Sequence, residues 1–186
     1  VAIGDEHFYI ISNTDGEITM LSKYNLYVGG KYDGSTWTAY GEEATGIQDE
    51  TMLGYVSGQT VRNGTTAFSS TNYWSSTVST YPAYVYDSNS TLYNYVESYR
   101  TYLESQGAEI EEARLIKVEE LEALGCSRSS NSCKSAPEWV YGTSYWSGAA
   151  YGGFSVWLVY SYGQFGNDDY VIVSGCGVRP VIVLKS

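Results

Sequence analysis

The sequence predicts an α+β fold with two helices, small antiparallel sheets and long irregular loops. Apolar residues recur at helical spacing in only two segments, residues 90–105 and 118–124. Short β-rich runs lie before and after these segments, so the helices follow one another instead of alternating with strands. Grouped helices indicate the α+β class and argue against a doubly wound parallel sheet.

Strands are expected in the first 28 residues. Residues 7–11 are β-rich and end at the polar turn sequence of residues 12–16, and residues 17–21 follow, which predicts a hairpin. Residues 25–28 indicate a further short strand. Residues 29–71 are rich in Gly, Ser, Thr and Asn, and we expect a long irregular excursion there. Loops of that length in a compact domain are usually functional or locally well packed.

Both helices are expected to end at a glycine, the first at Gly107 and the second at Gly125, since glycine is favoured just after a helix C-terminus. Between the helices, residues 113–116 indicate a brief strand. After Cys133 the chain is apolar and β-branched in short runs that are separated by turns containing Gly and Asn. These runs predict three strands, at residues 155–160, 170–174 and 181–184.

Length and charge restrict the function. The chain length suits a single domain, residues 1–186, with one core. Lys and Arg number 10 and Asp and Glu number 21, which gives a formal net charge of −11 that repels phosphate backbones, so no nucleic-acid partner is expected. No apolar run approaches the roughly 20 residues that span a bilayer, so this segment is not expected to insert into a membrane. Because the chain begins at Val1 and not at Met, we expect that a targeting segment or membrane anchor preceded it.

Tyrosine is the unusual component, with 20 Tyr against 4 Phe and 5 Trp. A buried tyrosine hydroxyl needs a hydrogen-bond partner, so this excess predicts that many of the tyrosines are partly exposed. Exposed tyrosine is typical of binding surfaces, because its ring offers a large contact area with few rotatable bonds. A tyrosine-rich β-protein whose rings pair across strands is the alternative.

The three cysteines divide into a pair and a single residue. Cys126 and Cys133 flank a short polar loop that can bring two Cα atoms within disulfide range, so we predict a disulfide. A disulfide indicates an exterior compartment, so we expect a secreted or cell-surface protein; two free thiols of a cytosolic protein are the alternative. The only histidine, His7, lies far from both cysteines in sequence, and no metal site is predicted.

No catalytic residue is predicted. The chain has no G-x-S-x-G element, and its glycine-rich stretches lack the context of a phosphate-binding loop. Adjacent acids such as Glu42 and Glu43 indicate solvated surface, although a glycosidase with dispersed acids stays open. Asn167, Asp168 and Asp169 could ligate Ca²⁺, but a polar loop tip is the preferred interpretation. We therefore expect a binding protein without a cofactor and not an enzyme.

Two segments resemble a known fold. Residues 112–124, EARLIKVEELEAL, resemble the A-R-L-P-T-x-x-E-W/L-E signature of the C-type-lectin-like fold, with Ile116 and Lys117 where Pro and Thr are usual. The second segment begins at Trp139 and carries YWSG, then VW-x-V, then GVRPV. It resembles the Y-W-S-S…A-W-x-V…G-V-R-P-V ending of bacterial surface domains with that fold. Residues 110–186 are the most recognisable portion.

This fold is shared by formylglycine-generating (sulfatase-modifying) enzymes, several bacterial surface domains and the variable proteins of diversity-generating retroelements. The resemblance implies one C-type-lectin-like domain over residues 1–186. Arg179 is expected to reach a carboxylate such as Glu119 or Glu120 in a bidentate pair. The implied fixed scaffold includes Arg114, Trp146, Trp157 and Arg179.

Residues 145–184 resemble the variable region of the retroelement-diversified proteins, in which adenines of a template are randomised. An Asn codon can then become Tyr, Ser, Asp, Gly, Phe, Leu, Val or Cys, but not Trp, Glu, Lys, Gln or Met. Gln164 falls outside that set. Ordinary loop residues of a fixed tyrosine-rich domain are the alternative. The resemblance implies ligand binding at Tyr151, Gly152, Gly153, Phe154, Ser155, Leu158, Tyr160, Tyr162, Asn167, Asp168, Asp169, Tyr170, Ser174 and Cys176.

The expected function is non-enzymatic binding of an unknown protein or glycan ligand on another cell or phage. We expect Tyr151, Tyr160 and Tyr162 to be more exposed than the two scaffold tryptophans. Two alternatives stay open. One is a pilin-like structural surface subunit whose tyrosine-rich face packs against copies of itself. The other is an enzyme of the formylglycine-generating type, which needs a reactive cysteine such as Cys176.

Overall fold

Three small antiparallel sheets and two helices make up the computed structural model, which describes residues 1–185. The α+β class predicted from the sequence is confirmed. The helices are α1 (Leu92–Ser105) and α2 (Val118–Ala123). The strands are β1 (Ala2–Ile3), β2 (Glu6–Thr14), β3 (Glu17–Ser22), β4 (Gly30–Tyr32), β5 (Trp37–Ala39), β6 (Arg62–Thr65), β7 (Ala83–Tyr84), β8 (Ile110–Arg114), β9 (Tyr145–Ala150), β10 (Ser155–Val159), β11 (Phe165–Asp169) and β12 (Val181–Lys185).

The first sheet has the order β1-β2-β3-β12-β8, so the last strand of the chain lies between the N-terminal hairpin and a strand from mid-sequence. In β12, Val181 pairs with Leu21 of β3 and with Arg114 of β8. The predicted hairpin is confirmed as β2 and β3, and its turn holds Asp15 and Gly16 at positive φ, 54° and 81°. Successive residues of β12 face different buried clusters, so this sheet separates the two halves of the core.

The second sheet, in the order β11-β10-β9-β7, contains most of the segment that the sequence predicts as ligand-binding. β10 and β11 form a hairpin in which Val159 pairs with Phe165 and Ser155 pairs with Asp169. All of β9 is buried, and so is β10 from Val156 onward. The exposed residues of this sheet therefore lie at the two ends of the hairpin and along its edge strands, β11 and β7.

The third sheet, in the order β5-β4-β6, lies within residues 29–71, which the sequence predicted as irregular. The prediction of an irregular segment is wrong at these three strands. They could not be recognised from the sequence because they are only three or four residues long and include Gly30 and Gly64. Gly30 is required where it lies, since a Cβ atom there would overlap the carbonyl oxygen of Thr38. The excursion is therefore a small sheet that packs locally.

Two of the predicted strands are wrong. Residues 25–28 form no strand. Their one β-type pairing is an isolated bridge between Leu26 and Gln48. Residues 170–174 form none either, and the strand is Phe165–Asp169. Its Gly, Asn and Asp residues are depleted in strands generally. Pairing with β10 along its whole length outweighs that weak propensity.

Both predicted helices are confirmed, and α1 begins two residues later than expected, at Leu92. Its buried residues recur every three or four positions and face the core. The Ser90 hydroxyl accepts a hydrogen bond from the Leu92 N–H at 3.2 Å and donates one to the Phe68 carbonyl at 2.6 Å. The brief strand predicted at residues 113–116 is β8, which ends at Arg114. No helix in residues 1–185 combines the length and the apolar character needed to cross a membrane.

Arg114 joins β8 to α2 through a buried ion pair. Its Nη1 and Nη2 atoms donate to the two carboxylate oxygens of Glu120 at 2.8 and 2.6 Å, and its Nε atom donates to Glu112 at 2.9 Å. Glu120 also accepts the N–H of Lys117 at 2.9 Å, which satisfies a free donor at the start of α2. The pair therefore fixes the helix to the end of the strand.

The predicted partner of Arg179 is wrong, because Arg114 takes the bidentate carboxylate of Glu120. Arg179 is fully buried, and its Nε and Nη1 atoms donate to the carbonyls of Ser22 at 2.7 Å and Val140 at 3.2 Å. Its guanidinium also lies over the ring of Tyr145, with Cζ 5.0 Å from the ring centroid. This arginine is thus held by carbonyl dipoles and a ring, with no carboxylate within ion-pair distance among residues 1–185.

Cys126 and Cys133 form the predicted disulfide. Both residues are buried in the same core cluster as Trp157. The Cys133 N–H donates to the carbonyl of Gly163 at 2.7 Å, and Gly163 lies in the turn between β10 and β11. The bridge therefore supports the tip of that hairpin. Cys176 is unpaired and buried.

We predict that Glu120→Gln lowers the free energy of unfolding by about 3 kcal/mol, because it removes the bidentate carboxylate from the buried Arg114 guanidinium. The control is Glu122→Gln, which breaks the more exposed pair with Arg128 and should cost less than about 1 kcal/mol. Urea denaturation of both variants at pH 7 measures the difference. Equal losses would contradict the role assigned to Arg114.

Candidate ligand-binding surface

Five side chains from separate parts of the chain pack together on one side of the molecule: Tyr32, Tyr55, Arg62, Tyr160 and Tyr162. We call this cluster the tyrosine–arginine face. The rings of Tyr160 and Tyr162 stack with centroids 5.2 Å apart, and the ring of Tyr55 meets them edge to face at 5.5 and 5.7 Å. The Arg62 guanidinium lies 4.6 Å from the Tyr55 centroid and 5.2 Å from that of Tyr32.

The backbone under the face is tied by hydrogen bonds between distant segments. The hydroxyls of Ser144 and Ser161 both donate to the carbonyl of Tyr55, at 2.5 and 2.7 Å. The Ser161 N–H donates to the Ser144 hydroxyl at 2.8 Å. The Tyr160 N–H donates to the Gln164 carbonyl at 2.9 Å, which closes the turn between β10 and β11. The loop that carries Tyr55 and the tip of the hairpin are therefore held in one arrangement.

The polar groups at the face are Arg62, Asp168 and the tyrosine hydroxyls. Asp168 lies with Oδ2 3.4 Å from the Tyr160 hydroxyl, and the Tyr162 hydroxyl donates to Gln164 at 2.6 Å. Burial raises the pKa of Tyr160, and the nearby Cys176 and Asp168 raise it further. Because burial also raises the pKa of Tyr162, both rings stay uncharged at neutral pH.

The expected order of exposure is confirmed. Tyr151 and Tyr162 are exposed, at 48% and 39%, and Tyr160 is half-buried. Trp146 is fully buried with its Nε1 donating to the Thr66 carbonyl at 2.9 Å, and Trp157 is buried against Tyr151 and Phe165.

The predicted ligand-binding residues fall at two ends of one hairpin. Tyr160 and Tyr162 lie at its tip, in the tyrosine–arginine face. Tyr151, Gly152, Gly153 and Phe154 form the turn that leads from β9 into β10, at the opposite end, and Ser155 is the first residue of β10. The five residues of β10 separate the two ends by about 17 Å. Along and after β11 the structure exposes Asn167 and Asp169 and half-buries Asp168, Tyr170 and Ser174.

Two predicted contact residues require correction. Leu158 is fully buried because it lies mid-strand in β10 and points into the core. Cys176 is 1% exposed, and its carbonyl accepts the Thr66 N–H at 3.0 Å. Burial raises the pKa of the Cys176 thiol, which keeps it in the unreactive protonated form. Neither residue can contact a ligand at the surface.

Tyr32, Tyr55 and Arg62 were not among the predicted site residues. All three belong to residues 29–71, and the contacts of Tyr55 with Tyr160, Tyr162 and Ser161 bring this stretch against the hairpin tip. The sequence did carry one signal, because a long excursion in a compact domain predicts a functional role. Tyrosine and arginine in such an excursion are the residue types that dominate interface energetics.

The chain matches no protein-family model, no curated protein and no solved structure. Among residues 1–185, no group of three or more His, Cys, Asp and Glu side chains is arranged to hold a metal ion.

Tyr145, the first residue of β9, follows directly after Ser144, whose hydroxyl holds the carbonyl of Tyr55. It is fully buried, and its hydroxyl donates to the Val140 carbonyl at 2.6 Å. Burial raises the pKa of Tyr145 to about 12 from its ordinary value of 10.0, and the Arg179 guanidinium opposes that rise. Because the folded-state pKa lies above the unfolded one, this contribution to stability is intact below pH 10 and is lost as the pH approaches 12.

We predict that the difference in free energy of unfolding between the wild type and Tyr145→Phe is constant from about pH 7 to 9. Between pH 10 and 12 the difference should fall by roughly 2–3 kcal/mol, since two pKa units separate the folded and unfolded values. Urea denaturation across this pH range measures it. The comparison cancels the other tyrosines, which both proteins share. A difference that stays constant to pH 12 would show that Tyr145 is not buried as described.

Proposed function

We propose that this chain is a non-enzymatic binding module that engages a macromolecular ligand through the tyrosine–arginine face. The observation that carries the proposal is the packing of four tyrosine rings with one guanidinium, drawn from separate segments and held on a hydrogen-bonded frame. Tyrosine and arginine are enriched among the residues that dominate binding energy at interfaces. Rings already packed in place lose little conformational freedom on binding, which favours affinity.

The C-type-lectin-like fold and retroelement diversification form part of the proposal. They are supported by a difference in burial: the residues of the motifs that resemble this fold are buried, and residues between the motifs are exposed. Arg114, Trp146 and Arg179 are buried, whereas Tyr151 and Phe154 are exposed. Variation at the exposed positions would alter the two ends of the hairpin and leave the core unchanged. The coding segment for residues 145–184 should then have a near-copy that differs mainly at adenines, next to a reverse transcriptase gene; a genome without one removes this part of the proposal.

A secreted or cell-surface location fits the same function. The Cys126–Cys133 disulfide supports it, because such bridges persist in oxidising compartments. A surface module of this kind would meet a protein or glycan on another cell or phage. The high negative charge of the chain favours ligands other than nucleic acids.

We predict that the triple variant Tyr55→Ser, Tyr160→Ser, Tyr162→Ser loses binding to its ligands by at least about 100-fold, because truncating rings at the centre of an interface costs on the order of 1–2 kcal/mol each. The probes are an array of purified extracellular protein domains and an array of defined glycans. Biolayer interferometry then measures the affinity of each positive partner.

The matched control replaces three half-buried tyrosines of α1, Tyr93, Tyr95 and Tyr102, with serine. This variant should bind as the wild type does, and near-ultraviolet circular dichroism should show that both variants remain folded. Partners that bind the face variant and the wild type equally would contradict the proposal. Self-association at micromolar concentration in sedimentation velocity, unchanged in the face variant, would favour a structural subunit instead.

A further inference from the structure

We propose that Arg62 is the anchor of the tyrosine–arginine face and that it pairs with the carboxylate of an acidic side chain on a protein ligand. This inference rests on the proposed function, since it names the chemistry of the partner. Arg62 lies in β6, outside the segment that resembles a variable region. If the residues of the hairpin tip vary between related proteins, Arg62 would stay the same and would bind the same kind of group in each of them.

Arg62 has donors that the chain leaves without acceptors. Its Nη1 atom donates to the Ser174 carbonyl at 2.8 Å, and its Nε atom is buried without any hydrogen-bond partner among the described residues. A buried donor without an acceptor is costly, and in native structures such a group calls for a specific explanation. The rings of Tyr32 and Tyr55 hold the guanidinium by cation–π contacts but accept none of its N–H groups in the plane.

Arg62 has no carboxylate partner within residues 1–185, although acidic residues outnumber Lys and Arg by 21 to 10. Arg100, Arg114 and Arg128 each pair with at least one glutamate, whereas Arg62, like Arg179, has no ion pair in the part of the chain that the structure describes. Arg179 differs because it is fully buried and bonded to two carbonyls. Asp168 contacts the Tyr160 hydroxyl at this face instead. The cation is thus available to a carboxylate that comes from outside the chain.

A guanidinium flanked by rings is suited to a carboxylate. Its planar N–H groups match the two oxygens of a carboxylate, and Arg–carboxylate pairs are often bidentate for that reason. The flanking rings limit access of water to Arg62, which strengthens such a pair relative to one in open solvent. An ammonium would be repelled by the guanidinium, and a neutral amide would offer one uncharged acceptor oxygen and bind more weakly than a carboxylate.

The packing of the rings favours a protein over an acidic glycan. A sugar binds aromatic residues by lying on a free ring face. Tyr160 and Tyr162 each give one face to their mutual stack, and Arg62 covers a face of Tyr55. Around them the chain combines tyrosine with serine, glycine and asparagine, the residues that are enriched in antibody loops and that make adaptable polar contacts there.

Nuclear magnetic resonance of the side-chain Nε–Hε group of Arg62 tests the inference. The probes are N-acetylglutamate amide, its neutral analogue N-acetylglutamine amide, and glucuronate. The Arg62 resonance of the wild type should move saturably with N-acetylglutamate amide and at least fivefold less with the glutamine analogue. Arg100, a half-buried arginine of α1 that already pairs with Glu104, is the internal control, and its resonance should not move.

Each result decides the inference. An Arg62 resonance that does not respond to N-acetylglutamate amide overturns it, as does an equal response to the neutral analogue. A stronger response to glucuronate than to N-acetylglutamate amide overturns the assignment to a protein and indicates an acidic glycan. In Arg62→Lys, which keeps the charge but loses the planar donors, the ring signals of Tyr55 should respond at least threefold more weakly to N-acetylglutamate amide than in the wild type.

Binding to the array partners separates this inference from the proposed function. Arg62→Gln should lower the affinity for the array partners by at least tenfold, and Arg100→Gln should leave that affinity unchanged. If Arg62→Gln binds as the wild type does while the tyrosine triple variant does not, the inference fails and the proposed function stands. If the tyrosine triple variant also binds as the wild type does, the proposed function fails. Thermal unfolding midpoints show whether the Arg62 variants are folded.

Discussion

The buried guanidinium of Arg179 is the interaction on which the arrangement of the two larger sheets depends. It donates to the carbonyl of Ser22 at the end of β3 and to that of Val140, which precedes β9. It also covers the ring of Tyr145, the first residue of β9. A buried charge is expensive unless its donors find acceptors. One acceptor belongs to the first sheet and the other lies in the segment that leads into β9, so the charge is stable only when that segment is correctly placed against β3.

The same junction positions the tyrosine–arginine face. Asn25 donates to the Ser144 carbonyl at 3.0 Å and accepts from the Thr143 hydroxyl at 2.8 Å, so the residues before β9 are fixed by a buried polar network. Ser144 then holds the carbonyl of Tyr55. Gly54 allows this approach, since at its φ of 67° a Cβ atom would lie 2.6 Å from the Ser144 carbonyl oxygen. The position of Tyr55 is therefore a consequence of core packing.

Local signals in the sequence were sufficient for the helices, the N-terminal hairpin and the disulfide. Each of these is decided within about 20 residues, by periodicity, turn chemistry or the spacing of two cysteines. β11 was missed because its Gly, Asn and Asp residues have weak strand propensity and form a strand only when paired with β10. The sheet of β4, β5 and β6 was missed because its strands are very short and β6 comes from about 30 residues away. The predicted partner of Arg179, Glu119 or Glu120, was wrong because Arg114, six residues before Glu120, takes that carboxylate.

The residues of the candidate site also differ in how well the sequence predicts them. Tyr160 and Tyr162 could be predicted because their own segment showed a change from scaffold to tyrosine-rich sequence. Leu158 could not be distinguished from them by residue type, since burial depends on which face of β10 it occupies. Tyr32, Tyr55 and Arg62 could not be placed because their proximity to the hairpin depends on pairing across more than 80 residues, as in the hydrogen bond from Ser144 to Tyr55. The surface therefore combines one half from residues 29–71 with a second half at the hairpin tip. Backbone hydrogen bonds hold the turn of that tip and the Ser161 hydroxyl ties it to Tyr55, so the frame does not depend on the rings of Tyr160 and Tyr162.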